Sequence, residues 1–315
     1  MNSKIYIGII AVLVVALGGF GYVAMQNKIV PTAVTTTQTE DTSVTENTIY
    51  GHVHALFKVS ATGTILLGTH NGLFKSTDQG KTFTKANPNV EGEFMSFAYD
   101  SRNNIIYAGG HGLGVVKSTD NGATWTKTDT GIVGDDIHAI ALNSLDSNLI
   151  YAFSVDHGVF GTKDAAKTWY RIDDGPANPS TRSFGYMTAL SAMDRSMMKT
   201  DATANIGYLW AGTGGGLYSS FACFCGWTKN PAFPDTATIY TIVPDPSDRS
   251  SMLIGTKDGI FKTTDEGKTF SKIQSDIQNV AAITFDASNP RMVLASTEDG
   301  TLYNSKDGGN TWQKN

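Results

Sequence analysis

Short apolar runs separated by glycine-containing turns recur along the chain from residue 51 onward. One copy reads Ile65-Leu-Leu-Gly-Thr-His-Asn-Gly-Leu-Phe74, and another reads Leu253-Ile-Gly-Thr-Lys-Asp-Gly-Ile-Phe261. Short apolar runs bounded by glycine predict strands joined by tight turns rather than helices. A further apolar run precedes each copy, and an aromatic residue a few positions downstream opens another short strand. The pattern therefore predicts repeated units of about four short strands.

A polar turn closes each unit with the pattern Ser/Thr-x-Asp-x-Gly-x-Thr-aromatic. Five copies carry the acid, at Asp78, Asp120, Asp164, Asp265 and Asp307. Neighbouring copies are 42 to 44 positions apart, except for an interval of 101 that must contain one longer repeat. Its degenerate turn is Ser219–Trp227, which has lost the aspartate. Six units of four strands predict an all-β fold, a six-bladed β-propeller of four-stranded blades over residues 51–315.

The repeated turn has a structural explanation. Serine, threonine and aspartate side chains accept hydrogen bonds from backbone amides, and glycine supplies the positive φ that such turns require. The aromatic residue is expected to pack between neighbouring sheets. We therefore interpret the five aspartates as structural residues and not as catalytic ones.

This motif is the Asp-box, or BNR, repeat, and the chain resembles the BNR-repeat propeller proteins across residues 50–315. That superfamily includes sialidases, sortilin-like receptors and propellers that resemble photosystem II assembly factors. The first half is most similar to prokaryotic proteins described as "glycosyl hydrolase, BNR repeat". The resemblance implies the fold but not one function. It also argues against a sialidase, since this chain lacks the Arg-Ile-Pro motif, and no arginine precedes the first box.

The N-terminal fifty residues have a different character. Residues 5–25 form an uncharged apolar run of about the 20 residues that a membrane-spanning helix needs. The stretch after it is rich in threonine and too polar to form a core. The sequence therefore predicts a single transmembrane anchor (1–28), a Thr-rich linker (29–50) and an extracytoplasmic propeller on the cell membrane. The formal net charge of −5 gives no support for a nucleic-acid partner.

All six histidines fall within the first three blades. The repeat register places His54 and His138 at equivalent starts of innermost strands, with Met95, Thr188, Tyr240 and Ala281 in the other blades. Strand starts and the turns between second and third strands open on the same face of a propeller, opposite the Asp-boxes. Imidazole suits zinc or copper, and a thioether would favour copper. The candidate metal ligands are His52, His54, His138, His70, His111 and Met95.

The sequence leaves three functions open. The first is a membrane-anchored binding or assembly module that recognises a protein or glycan partner through the histidine-rich face. The second is a glycoside hydrolase or lyase, for which Glu93 and Asp136 are the candidate catalytic carboxylates on that face. The third is a metal-binding protein that holds copper or zinc.

The sequence also leaves undetermined the state of two cysteines and the role of three methionines. Cys223 and Cys225 are the chain's two cysteines, and the sequence allows either a strained pair or two free thiols. The long fourth unit contains Met193, Met197 and Met198, which suit either packing against a blade or contact with a partner.

Overall fold

The structure of the chain is a computed structural model that describes residues 50–177, 180–188, 207–274 and 276–315. The predicted anchor, most of the linker and the three methionines lie outside the described residues. Among the described residues, no helix is long and apolar enough to cross a membrane. The described chain forms six antiparallel sheets, each built from four consecutive strands.

The first three sheets, blades 1 to 3, follow the sequence order without interruption. Blade 1 contains β1 (Val53–Lys58), β2 (Ile65–Thr69), β3 (Gly72–Ser76) and β4 (Thr84–Lys85). Blade 2 contains β5 (Ser96–Asp100), β6 (Ile105–Gly110), β7 (Gly114–Ser118) and β8 (Thr126–Lys127). Blade 3 contains β9 (Ile137–Leu142), β10 (Ile150–Ser154), β11 (Gly158–Thr162) and β12 (Tyr170–Asp173).

The remaining three sheets repeat this arrangement. Blade 4 contains β13 (Thr181–Thr188), β14 (Gly207–Thr213), β15 (Gly216–Phe221) and β16 (Thr228–Lys229). Blade 5 contains β17 (Ile239–Pro244), β18 (Met252–Thr256), β19 (Gly259–Thr263) and β20 (Ser271–Gln274). Blade 6 contains β21 (Val280–Asp286), β22 (Asn289–Thr297), β23 (Leu302–Ser305) and β24 (Gln313–Lys314). The prediction of a six-bladed propeller with four-stranded blades is confirmed.

The hydrophobic core lies between adjacent blades. Phe57 and Leu66 of blade 1 pack with Phe94 and Trp125 of blade 2 in one buried cluster. Each short sheet buries its faces against its neighbours, so stacking in a ring supplies the core that one blade lacks. Burial of this kind is the main favourable contribution to folding.

The ring closes between blade 6 and blade 1, and among the described residues each of these blades consists of its own four consecutive strands. Leu67 of blade 1 and Leu302 of blade 6 belong to one core cluster. Lys58 Nζ lies 2.8 Å from Asp286 Oδ2, and the Ser60 hydroxyl donates to Asp286 Oδ1 at 2.9 Å. Burial raises the pKa of Asp286, but hydrogen bonds from Lys58 and from serine residues outweigh burial and hold this pKa far below its usual range. The closure therefore combines apolar packing with a charged contact.

The Asp-box turn has the structure that its sequence indicates. In blade 2 the Asp120 carboxylate accepts from the Ser118 hydroxyl at 2.8 Å and from the Thr124 amide at 2.8 Å. The buried Ser118 hydroxyl accepts in turn from the Gly122 amide at 2.8 Å. Gly122 has φ of +85°, and a Cβ there would lie 2.6 Å from Leu66 of blade 1, so the turn needs glycine both for its backbone and for its space.

Blade 4 corrects one register prediction. The repeat register predicts Thr188 at the start of its innermost strand, in the position equivalent to His54. The innermost strand instead runs from Thr181 to Thr188, and Thr188 is its last residue. The apolar signal is weak at the true start because that strand opens with polar residues and contains Gly185. A Cβ on Gly185 would lie 2.6 Å from Ile242 of blade 5, so close blade packing explains the glycine.

Candidate functional site at the channel mouth

The innermost strands surround a central channel, with a cavity of about 420 Å³. Their starts lie on the face that carries the histidines, here called the histidine face, and the Asp-box turns lie on the opposite face, here called the Asp-box face. Six residues occupy equivalent positions around the mouth of the channel on the histidine face. In blade order they are His54, Met95, His138, Arg182, Tyr240 and Ala281.

Arg182 takes the position in blade 4 that Thr188 was expected to hold. Its guanidinium carbon lies 5.3 Å from the centroid of the Tyr240 ring, in a cation–π contact between neighbouring blades. The printed sequence contains a signal for this residue, because His138 follows Trp125 by 13 positions and Tyr240 follows Trp227 by 13. Counting the same interval from Trp169 gives Arg182.

His111, Asp136 and His138 come together at the mouth. Asp136 Oδ1 lies 2.7 Å from His111 Nδ1 and 3.2 Å from His138 Nε2. The imidazole rings of the two histidines meet edge to face with centroids 4.6 Å apart. Burial opposes ionisation of Asp136, but the adjacent imidazoles of His138 and His111 outweigh burial and lower its pKa. Asp136 is thus held as a carboxylate beside two imidazole nitrogens.

Four side-chain atoms near this mouth are enclosed without a hydrogen-bond partner in the described structure: His54 Nε2, Ser96 Oγ, Asp136 Oδ1 and His138 Nε2. The close approaches to Asp136 lack hydrogen-bond geometry, although their distances are short. Burying a polar atom without a partner costs about 1–3 kcal/mol. The Asp136 and His138 atoms are in contact with each other, and together with His54 Nε2 they are candidate ligand atoms for a further bound group.

His54 is the most confined of these side chains. Its pKa is lowered well below the ordinary value, first by burial and then by the neighbouring imidazoles of His70, His52, His111 and His138. The neutral form of imidazole is the form that binds metals. His54 is thus kept in a ligand-competent state at the edge of the cluster.

His52 and His70 make a different arrangement. The His70 ring packs edge to face on His54 with centroids 4.4 Å apart, and its Nδ1 lies 3.1 Å from Glu93 Oε2. The His52 ring is 5.3 Å from that of His70. These rings meet edge to face, and among the described residues the three histidines do not form a group that could hold one metal ion. His157 is exposed, at the turn between β10 and β11.

Among the described residues, His111, Asp136 and His138 are the group whose ligand atoms could hold one metal ion, all within 4.8 Å of one another. Two imidazoles and a carboxylate suit zinc and other divalent transition metals, and three protein ligands leave a position open for a bound group. The donor set and its orphaned atoms fit a metal. Met95 lines the channel cavity, whose lining does not include these three residues.

The Asp-box aspartates lie away from this site and have satisfied hydrogen bonds. Hydrogen bonds from the side chain and amide of Thr168 lower the pKa of Asp164 to about 2, and Thr269 does the same for Asp265. The same turn with the same partners in different blades indicates a structural role. The structure thus supports the interpretation of these residues as scaffold.

Comparisons with known proteins agree on the fold. A family model described as "Sortilin, neurotensin receptor 3" matches residues 223–315. A xyloglucanase of Hypocrea jecorina (strain QM6a) is 27% identical over 135 residues, which are 41% of this chain and 16% of that enzyme.

Solved structures give the same result over most of the chain. A GH74 enzyme of Niastella koreensis has a TM-score of 0.58 at 18% identity, over 84% of this chain and 45% of that one. The structure of YCF48 bound to D1 peptide has a TM-score of 0.50 at 17% identity, over 84% of this chain and 82% of that one. This chain spans less than half the length of the GH74 structure. The resemblance to Asp-box propellers is confirmed, and the chain is a six-bladed Asp-box-type propeller similar in fold to GH74 enzymes and to YCF48.

Proposed function

We propose that this chain is an extracytoplasmic binding module that captures a protein or glycan partner at the histidine face, where His111, Asp136 and His138 hold a divalent transition metal. The observation that carries the proposal is the cluster of these three side chains, whose ligand atoms all lie within 4.8 Å of one another. Zinc is the first candidate because the donors are imidazole and carboxylate, and copper is the alternative. An open coordination position would let the metal bind a donor atom of the partner directly.

Arg182 adds a second point of recognition at the same mouth. The guanidinium has no ion-pair partner among the described residues, and its contact with Tyr240 orients it at the channel entrance. A guanidinium pairs well with a carboxylate, through two parallel hydrogen bonds. We therefore expect the partner to present a carboxylate, from an acidic peptide or an acidic sugar, together with a group that binds the metal.

The membrane-anchored placement rests on the N-terminal sequence. The apolar run of residues 5–25 is long enough to span a bilayer, and the threonine-rich linker would hold the propeller away from it. The disulfide between Cys223 and Cys225 also supports an extracytoplasmic position, because disulfides persist in oxidising compartments. Protease treatment of intact cells should cleave the propeller if this placement is right, and protection of the propeller would contradict it.

The metal site is tested by measuring zinc and copper content and binding in the purified full-length chain. The expected result is one ion per chain, and Asp136→Asn should lower zinc affinity by at least about 100-fold, since even outer partners of metal ligands contribute 10- to 100-fold. His157→Ala is the matched control, because it removes an exposed histidine from the same face. The proposal fails if no ion binds, or if the control weakens binding as much as Asp136→Asn.

Ligand capture is tested separately with acidic and neutral oligosaccharides and with acidic peptides. Arg182→Gln should weaken binding of the carboxylate-bearing ligands while leaving zinc binding unchanged. Equal binding by the variant and the parent chain would remove Arg182 from the recognition site.

A glycoside hydrolase is the second candidate, favoured by the similarity to a xyloglucanase over 135 residues. Glu93 and Asp136 are both on the histidine face, and each lies against an imidazole. If the chain hydrolyses xyloglucan, reducing ends should appear and should be lost in both Glu93→Gln and Asp136→Asn. Absence of hydrolysis together with metal-dependent capture of a ligand would favour the binding module.

A further inference from the structure

The turn after β15 in blade 4 contains a disulfide that is separate from the candidate site at the channel mouth. Cys223 and Cys225 form a disulfide across a single intervening residue. Both cysteines are exposed, whereas Phe224 between them is buried. The sequence alone left a bonded pair and two free thiols open, and the structure shows the bonded pair.

This disulfide occupies the place of the missing Asp-box. Buried Ser220 corresponds to Ser118 of blade 2, since each precedes its box tryptophan by seven positions. Ala222 therefore falls where Asp120 stands, and the carboxylate network of that turn has no counterpart here. The Ser220 hydroxyl instead donates to the Gly226 carbonyl at 2.5 Å. A covalent bond thus closes the turn that hydrogen bonds close in five other blades.

The backbone of this turn is strained. Ala222 has φ of +62° and Phe224 has φ of +53°, in the left-handed region that side chains with a Cβ rarely adopt. Such conformations cost of order 1–3 kcal/mol each and persist when surrounding structure imposes them. The disulfide, the burial of Phe224 and the Ser220–Gly226 hydrogen bond all constrain this turn.

Phe224 anchors the turn independently of the sulfurs. Its ring lies 4.7 Å from that of Tyr151 in blade 3 and 6.2 Å from that of Tyr186 in blade 4, centroid to centroid. This aromatic packing and the Ser220 hydrogen bond would remain if the disulfide were reduced. The two sulfurs would then stay close together, so the bond could form again.

We propose that Cys223–Cys225 is a thiol–disulfide exchange site that accepts two electrons from a dithiol. A thiolate of the dithiol attacks one exposed sulfur and breaks the bond, and the cysteine that leaves takes up a proton. The second thiol of the dithiol then attacks the mixed disulfide and releases the other cysteine. The dithiol ends as a disulfide and the chain ends with two thiols. Exposed or strained disulfides are the labile ones, which matches the position of this bond.

The experiment follows the redox state of the full-length chain with a maleimide mass tag. Dithiothreitol, without denaturant, should reduce the bond at a rate within roughly 10-fold of that in the unfolded chain, because both sulfurs are exposed. Oxidised glutathione should then restore the bond fully in the folded protein. Cys225→Ser leaves the Cys223 thiol free to attack oxidised glutathione, and it should trap the mixed disulfide between Cys223 and glutathione while the other glutathione leaves as a thiol.

Two results would overturn the proposal. One is native reduction that is slower than in the unfolded chain by roughly 1000-fold or more, which would identify a protected structural disulfide. The other is failure to reform the bond while the fold persists. The Cys223→Ser/Cys225→Ser double variant controls for reaction elsewhere and should take up no tag. Zinc binding at His111, Asp136 and His138 is measured in the same samples and should not change, so the two proposals can fail separately.

Discussion

The two faces of the propeller are built on different principles. On the Asp-box face, five blades repeat one turn, and the aspartate of each accepts hydrogen bonds from a threonine four positions later. On the histidine face, blades 1 and 3 share a histidine at the six equivalent strand starts, and the other four blades carry four different residue types. The histidine face instead brings His111, Asp136 and His138 together, with their ligand atoms within 4.8 Å of one another. Repeated polar groups with satisfied hydrogen bonds stabilise the ring, whereas the candidate site is built from side chains that do not repeat from blade to blade.

Blade 4 shows that a turn on the Asp-box face can be closed without the Asp-box motif. It lacks the aspartate, yet it closes the same turn with a disulfide and a buried phenylalanine. The aromatic residue at the end of its turn, Trp227, is only partly buried, while Trp125 of blade 2 is 1% exposed. The scaffold therefore tolerates one different solution on the Asp-box face.

The largest expected effect comes from the tryptophan that follows an Asp-box. Trp125→Ala removes a fully buried ring packed 5.3 Å from Phe94, so it should lower the free energy of unfolding by about 3–5 kcal/mol. The corresponding fall in melting temperature is roughly 10 °C. Trp227→Ala is the matched variant in blade 4 and should cost clearly less. Equal losses would mean that the turn with the disulfide carries as much packing as the Asp-box turns.

A smaller effect is expected from acid. The pKa of Asp164 and Asp265 is about 2 in the folded chain against an ordinary value of 3.8. A lowered pKa in the folded state stabilises the fold above the ordinary value and loses this contribution as the pH falls toward 2. The melting temperature should therefore decline between about pH 4 and pH 2.

The matched variant for this pH effect is the double substitution Asp164→Asn/Asp265→Asn. It should melt lower than the parent chain near pH 6 and should show a shallower decline in acid. An unchanged slope would show that other groups control acid unfolding, and that the Asp-box carboxylates contribute little to the scaffold.

Much of the fold could be predicted from the sequence, because the same unit recurs along the chain and the strands of one unit locate the strands of the others. The Asp-box spacing gave the blade count, and the glycine turns gave the strand pairs. The start of β13 was missed because polar Arg182 and packed Gly185 break the apolar pattern there. Thr188, which was predicted at the strand start, is instead the last residue of the strand. The constant interval of 13 positions between a box tryptophan and the equivalent residue at the next strand start identifies Arg182.

The site was less predictable, because it depends on distances across blades. His111, His138 and Asp136 were each candidates from the sequence, but Asp136 was chosen as a catalytic carboxylate and not as a partner of the histidines. His52 and His70 were placed correctly on the histidine face. Their rings pack edge to face beside His54, however, and their nitrogens do not form a metal-binding group with it. Ring orientation depends on side-chain packing, which the repeat register does not contain.

The smallest expected effect on stability comes from a substitution at His54. The free energy of unfolding should change in opposite directions for substitutions on the histidine face and on the Asp-box face. In the metal-free chain, His54→Leu removes an enclosed nitrogen that has no partner, so the free energy of unfolding should stay the same or rise by about 1 kcal/mol. On the Asp-box face, Ser118→Ala breaks hydrogen bonds to Gly122 and Asp120 and should cost about 1–2 kcal/mol. Thermal unfolding of the two variants after chelator treatment measures both. If His54→Leu destabilised the chain as much as Ser118→Ala does, the histidine would belong to the scaffold, and the unpaired atoms at the mouth would no longer indicate a site.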